Sequence, residues 1–398
     1  MKEVTVQKKL VVYVVPAIAY EGISKQVLLQ IDALIERGYT VKLIALTTVN
    51  DNVIFELAPK LDQENVIQLE QPDAYLSVKA LKGSPSVALQ ISKLLKEWKP
   101  AVVFAHTPYA HFVMRLVKLL SFSEEDKIKL WQYFHITQYA EFPLTTWRRK
   151  LINVVNRHLA KRFDDGHIFV SKAAKEDVQQ NLVSLKNYRV IFNAIPFIEA
   201  EQHVDSLEKP HSQSTLPYTI VIPGRIEEVK GQLWFLGVFK EFLRRNSLKP
   251  SEIKLILAGG GSLCEEATRE IKILNIEDYV SVTGYISNIA IKRFIYDADL
   301  VAVPSLREGF GLVVLEALIC GRIVLCSDAG GLKEIVEDGI TGFTFKTSDD
   351  DDCLKQINLI YHQRGKAILD KEEIARLLHG KFSFEKHMQE VVSLIDNT

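Results

Sequence analysis

Glu308-Gly309-Phe310-Gly311-Leu312-Val313-Val314-Leu315-Glu316 is the stretch that decides how this 398-residue chain is read. Before it, Leu300–Val303 has the composition of a short buried strand and ends at Pro304-Ser305. After it, Arg322–Cys326 reads as a second such strand, followed by Ser327-Asp328-Ala329-Gly330-Gly331. Between the two, the spacing predicts a helix that starts near Gly311 and is apolar almost all round, the pattern of a buried helix. Glu316 falls inside that helix, and a carboxylate is rarely buried without a partner. Glu308 falls at the C-terminal lip of the preceding strand, where open α/β sheets bind ligands. Gly309 and Gly311 permit close backbone approach and leave the helix N-terminus open to an anion. Two readings fit. In one, the carboxylates accept hydrogen bonds from the hydroxyls of a ligand whose phosphates sit at the helix start. In the other, Glu316 pairs with a core Lys or Arg and Glu308 is merely solvated.

The rest of the chain carries the same strand–helix rhythm. Leu10–Val15 is expected as a buried strand, then a loop reaching Gly22, a helix to about Arg37 stopped by Gly38, and a strand at Thr40–Leu46. This β-loop-α-β unit opens a parallel sheet. A helix over Val87–Trp98, a strand over Ala101–Ala105, a helix over Tyr109–Leu120 and a strand over Lys129–Phe134 continue it, with His106 and His135 at two strand ends. Ser171 is placed to cap a helix. The stretch 199–217 lacks periodicity and reads as a linker. The expected organisation is a first Rossmann-like domain over 1–197, a linker over 198–217, a second Rossmann-like domain over 218–375 and a returning helix over 376–398. At this length two cores are expected, since single cores rarely outgrow about 250–300 residues.

Composition removes several function classes. The 49 Lys and Arg nearly balance the 50 Asp and Glu, which argues against a dedicated nucleic-acid binder. Cys264, Cys320, Cys326 and Cys353 form no Cys-x-x-Cys pair, as expected of a reduced, cytoplasmic protein. No uncharged apolar run approaches the ~20 residues of a membrane span. A helix over Pro143–Phe163 carries Arg148, Arg149, Lys150, Arg157, Lys161 and Arg162 without an acidic residue, beside apolar Trp147, Leu151, Val154, Val155 and Leu159. Such a helix either lies on anionic lipid or presents a solvated face. Asp349 to Asp352 directly precede a helix, and the macrodipole favours acidic residues there; no metal site is expected.

Two further loops hold chemistry. Gly224-Arg225 and Lys230-Gly231 put two cations on one loop after the strand Thr219–Pro223, suited to a diphosphate, unless they only pair with Glu227 and Glu228. Gly259-Gly260-Gly261 is a glycine-rich turn after a strand, a weak signal that a nicotinamide dinucleotide site also uses.

Taken with Ala317-Leu318, Gly321, Gly330-Gly331 and Glu334-Ile335-Val336, the Glu308-to-Glu316 stretch resembles the donor-site signature of the retaining GT-B glycosyltransferases of family GT4. The resemblance is dense over about a tenth of the chain and thinner over most of the remainder. It implies α/β architecture of GT-B type, two Rossmann-like domains facing a central cleft, and transfer of a hexose-type sugar from a nucleotide sugar to a glycan hydroxyl, in surface polysaccharide or glycolipid synthesis. It implies no cofactor and no metal. Under it, Glu308 contacts the donor sugar, Glu316 the ribose, His135 the sugar from the first domain, and Arg225 and Lys230 the diphosphate. Gly22, Gly224, Gly260, Tyr285, Gly309, Phe310, Gly311 and Leu312 complete the expected donor site. The implied partners are the nucleotide sugar and a glycan or lipid-linked glycan; peripheral membrane contact through residues 147–162 is the lipid-bound alternative for the basic helix. The chain departs from the family pattern at Glu21-Gly22 and at Asn193-Ala194, where the family has paired glycines and Asn-Gly. The rival readings are a non-catalytic subunit of the same fold and an NAD(P)-dependent oxidoreductase built on Gly259–Gly261.

Overall fold

The computed structural model describes residues 9–71, 78–121, 128–182, 187–196, 217–363 and 371–397. The chain divides into two compact units, one formed by Met1–Asn193 with Glu385–Thr398, the other by Ala194–Phe384. Residues 194–196 and 376–384, grouped above with the first domain and the returning helix, fall in the second unit. Apart from Pro217, the expected linker 198–217 lies outside the described residues.

Among the described residues the first unit holds seven parallel strands: β1 Leu10–Val15, β2 Thr40–Ala45, β3 Val66–Gln68, β4 Val102–His106, β5 Lys129–Phe134, β6 Gly166–Phe169 and β7 Tyr188–Val190, in the order β3-β2-β1-β4-β5-β6-β7. The second holds β8 Tyr218–Pro223, β9 Ile253–Ala258, β10 Val280–Val282, β11 Leu300–Val303, β12 Ile323–Ser327 and β13 Phe343–Phe345, in the order β10-β9-β8-β11-β12-β13. Parallel strands covered on both faces read as continuous apolar runs, and Leu300–Val303 is buried at every residue. In each sheet the order reverses once, at β1/β4 and at β8/β11. The crevice beyond the carboxyl ends of strands at such a reversal is where doubly wound sheets hold ligands.

Helices cover the faces. The one at Val78–Trp98 starts nine residues before the expected Val87 and runs through Pro85. Proline removes one intrahelical bond; burial of Val87, Ala88, Ile91 and Leu95 against β1, β2 and β4 offsets that loss. The helix Leu312–Ile319 is buried at every position but Val313, as its composition dictates. Asp349 accepts from Asp352 N at 3.0 Å, so the acidic run caps the helix Asp350–His362.

A polar core anchors the first unit. Arg115 and Asp164 are fully buried and share three hydrogen bonds of 2.6–3.2 Å, while His167 and Gln132 also reach the Asp164 carboxylate. The C-terminal helix Phe384–Asp396 docks through His387, whose Nδ1–H donates to Phe192 O at 2.7 Å. Its Nε2 accepts from Gln30 Nε2 at 2.9 Å and Gln26 Nε2 at 3.2 Å. These contacts require a neutral imidazole, and burial pushes the group down to about 4.

Candidate donor site and family membership

In the second unit the loops after β8, β9, β10 and β11 interlock. Ile226 N donates to Gly260 O at 2.8 Å and Leu263 N to Ile226 O at 3.1 Å, joining the first two. Leu306 N donates to Val229 O at 2.8 Å, joining the β8 and β11 loops. The approach is close enough that a Cβ on Gly231 would lie 2.1 Å from Pro304 O, and one on Gly261 would lie 2.3 Å from Ile226 O. Glycine is thus required there by loop packing. The Gly259–Gly261 turn has the same explanation: a Cβ on Gly259 would lie 2.2 Å from Gly224 O, and Gly260 lies directly under the Tyr285 ring.

The convergence pairs two residues that stand 78 positions apart. Lys230 Nζ lies 2.7 Å from Glu308 Oε2, on a carboxylate that also accepts from Ser305 Oγ at 3.1 Å. Lys230 therefore pairs with neither Glu227 nor Glu228, and Glu227 instead holds Ser262, from Oγ at 2.6 Å and from N at 3.2 Å. The Glu308 and Lys230 side chains are 13% and 29% exposed, so the pair is shielded yet open on one side. Arg225 fixes the same loop through its carbonyl, which accepts from Gln232 Nε2 at 2.8 Å. Gly224 has φ +126° with open space where a Cβ would be.

The Glu308 loop is buttressed from behind. Gly331 N donates to Glu308 O at 3.1 Å. Gly330 packs so tightly that a Cβ on it would fall 1.9 Å from the same oxygen. Gly311 has φ +103°, and a Cβ there would meet Leu332 Cδ2 at 2.5 Å, so this glycine answers to packing as well as to backbone conformation. The Phe310 ring is a core group, edge-on to Phe382 at 5.6 Å, and Leu312 is buried. Glu316 is 9% exposed, inside its helix as the spacing predicts.

Gly22 and His135 belong to the first unit. Gly22 opens the helix Gly22–Glu36 after β1 and His135 follows β5, on either side of β4. His106 closes β4, and its Nδ1 lies 2.7 Å from His135 Nε2, so the two histidines form one buried pair. Both are held neutral: burial first, then neighbouring histidines, pushes His135 down to about 3 and His106 well below its usual range. Neither His106 Nε2 nor His135 Nδ1 has a hydrogen-bond partner among the described residues. The next residue, Thr107, holds φ +75°, which is rare for a β-branched side chain and marks strain at this strand end. Sequence reasoning missed Ser305 as a holder of Glu308 and the union of the two histidines. The first had a signal in the Ser-x-x-Glu spacing; the second needed the β4–β5 register.

The chain is similar to known glycosyltransferases. Residues 20–197 match the family model described as Glycosyltransferase Family 4, and residues 205–375 match the one described as Glycosyl transferases group 1. An uncharacterised 41.2 kDa protein of the Klebsiella pneumoniae cps region is 23% identical over 66% of this chain and 70% of its own. The lipopolysaccharide 1,2-N-acetylglucosaminetransferase of Salmonella typhimurium is 33% identical over 43% of this chain; less than half of that relative, 46%, is spanned. The solved structure of Anabaena HepE in complex with UDP and glucose superposes with a TM-score of 0.77 at 18% identity, covering 98% of this chain and all of that one. By its two consecutive family matches and its fold, this chain belongs to the group 1, family 4 glycosyltransferases of GT-B architecture.

Proposed function

We propose that this chain moves a hexose-type sugar from a nucleoside diphosphate sugar to a glycan hydroxyl, with retention, in the synthesis of a surface polysaccharide or glycolipid. The observation that carries the reading is the Lys230–Glu308 pair at the β8/β11 reversal. A cation and a carboxylate with tips 2.7 Å apart suit the adjacent phosphate and hydroxyls of one sugar phosphate. In this reading Lys230 and Arg225 take the diphosphate, Glu308 the sugar hydroxyls, Glu316 the ribose, and His135 the sugar from the first unit. The backbone at Gly22, Gly224, Gly260, Gly309 and Gly311 lines the path. UDP is the first nucleotide to test, because the HepE neighbour holds it.

The reaction follows from these roles. The acceptor oxygen attacks the anomeric carbon from the face that the diphosphate leaves. The new C–O bond forms as the bond to the diphosphate breaks, and the acceptor proton passes to the departing phosphate oxygen. The products are a glycoside and a nucleoside diphosphate. Lys230 and Arg225 neutralise the charge that grows on the leaving group, so this reading asks for no metal ion. Closure that excludes water would limit hydrolysis.

The test is a panel of UDP, GDP and ADP sugars. Thermal shift reports binding and nucleoside diphosphate release reports transfer to glycan acceptors. A ligand at 100 times its Kd adds about 2.7 kcal/mol of stability, which moves the melting point visibly. Release with one donor, lost in Glu316→Ala, is the expected result. Proton NMR of the product should show the donor's anomeric configuration, and an inverted product would overturn retention. Binding without turnover across the whole panel would make the chain a non-catalytic subunit.

A further inference from the structure

The helix Trp147–Phe163 presents its apolar stripe outward. Trp147, Leu151 and Val154 are 70%, 55% and 63% exposed and Val155 is 47% exposed, while Asn156, Leu159 and Ala160 form the buried side. At 3.6 residues per turn the four exposed apolar residues fall within about 100° of arc. An ordinary surface helix confines its apolar residues to the core side; this one turns Leu159 and Ala160 inward and carries a second apolar stripe outward. Phe142, just before the helix, is also exposed. The stripe is not bare of charge at its margins. Lys150, Arg157 and Lys161 project along one border and Arg148 along the other, and the helix contains no acidic residue. Among the described residues no helix is long and apolar enough to cross a membrane, so the segment is not the start of a span.

We infer that this helix lies flat on an anionic lipid surface, with Trp147, Leu151 and Val154 in the headgroup–acyl boundary and the flanking cations on lipid phosphates. Two observations select lipid over a protein partner. The apolar stripe is narrow and runs over the first half of the helix, residues 147–155, and exposed His158 and Arg162 continue the same arc, so an apolar anchor is followed by a cation on the face of an interfacial helix. Cations stand on both of its borders, matching a uniformly negative plane. Trp147 sits at the helix start with the Arg148 guanidinium 5.5 Å from its ring, an amphipathic pair suited to the interface. The inference rests on surface chemistry and does not need the transferase reading.

The experiment is co-sedimentation of the full chain with phosphatidylcholine vesicles, with and without phosphatidylglycerol. Binding is expected on the anionic vesicles and should fall with salt. Each cation near such a surface contributes about five-fold in affinity. The triple variant Lys150→Gln/Arg157→Gln/Lys161→Gln should therefore lose on the order of a hundred-fold. Trp147→Ser/Leu151→Ser should lose at least ten-fold. Both variants change exposed side chains, so an unchanged melting point verifies folding. No binding to anionic vesicles, or binding that both variants leave untouched, overturns the inference. So does a wild-type dimer in light scattering that Trp147→Ser/Leu151→Ser turns into a monomer, because the stripe would then bury against a second copy.

Discussion

Replacing Gly330 with alanine tests whether the donor loop is held by its backing rather than by its own sequence. The added Cβ would lie 1.9 Å from Glu308 O, whereas real Cβ contacts stay beyond 3.0 Å. The two segments must separate by about 1.1 Å, the difference between those distances. The Gly331 N to Glu308 O hydrogen bond, 3.1 Å long, breaks or bends in the process. Gly330 also has φ +52°, which costs alanine ~1 kcal/mol. Overpacking adds ~1–3 kcal/mol, so the melting point should drop by several degrees. Under the proposed function the loss of activity is larger, because Glu308 carries the contact to Lys230 and a displacement of about 1 Å at a reacting centre costs roughly a hundred-fold in rate. The assay is steady-state nucleoside diphosphate release at saturating donor, beside a thermal melt. Gly339→Ala is the control: Gly339 has φ +73° but nothing within 4 Å of its Cβ position, so it pays the conformational cost alone. Turnover of Gly330→Ala within two-fold of wild type, or an equal loss in Gly339→Ala, would show that Glu308 is not held by this backing.

Three other outcomes are expected. Under the proposed function, Lys230→Met takes away the positive charge that faces the leaving group and leaves Glu308 partly buried without its cation, so turnover should fall by about 10²–10³; steady-state nucleoside diphosphate release checks this, and unchanged turnover would remove Lys230 from the chemistry. Asp164→Asn breaks a fully buried pair with Arg115 and should cost ~3–5 kcal/mol, read as a melting-point drop with activity retained at low temperature; a drop under about 1 kcal/mol would mean the pair relaxes onto Asn156. His135 and His387 sit in sites that hold them neutral, at about 3 and about 4, below the ordinary value of 6.5. The unfolded chain then binds protons that the folded chain refuses, so stability is full above pH ~6.5 and declines as pH falls toward 4. Melting curves from pH 7.5 to 4.5 should show that decline, with a smaller slope in His387→Gln; a flat profile would refute it.

Much of the architecture was legible because its signals are local. The buried strand, the glycines and the apolar helix around Glu308 and Glu316 lie within twenty residues, and parallel strands announce themselves as apolar runs between helical periodicities. The helix start at Val78 was not legible, since Pro85 reads as a boundary until the buried side of Val87, Ala88 and Ile91 is known to outweigh it. Gly259–Gly261 shows the same limit: the turn is obvious, but that Tyr285 and the Ile226 carbonyl demand it is not.

The basic helix makes the distinction sharpest. Periodicity predicts a basic face and an apolar side for this helix, because residues three and four apart share a face. Which side meets the core depends on what Asn156, Leu159 and Ala160 pack against, a long-range matter that put Trp147 and Leu151 outside. The site divides in the same way. Local spacing is enough to put a carboxylate at a strand lip and two cations on another loop. Folding is what brings Lys230, 78 positions away, to Glu308, and joins His106 and His135 in one pair. Such pairings are set by the order in which strands assemble into a sheet, and that order is carried by the packing of whole elements, not by the residues that finally touch.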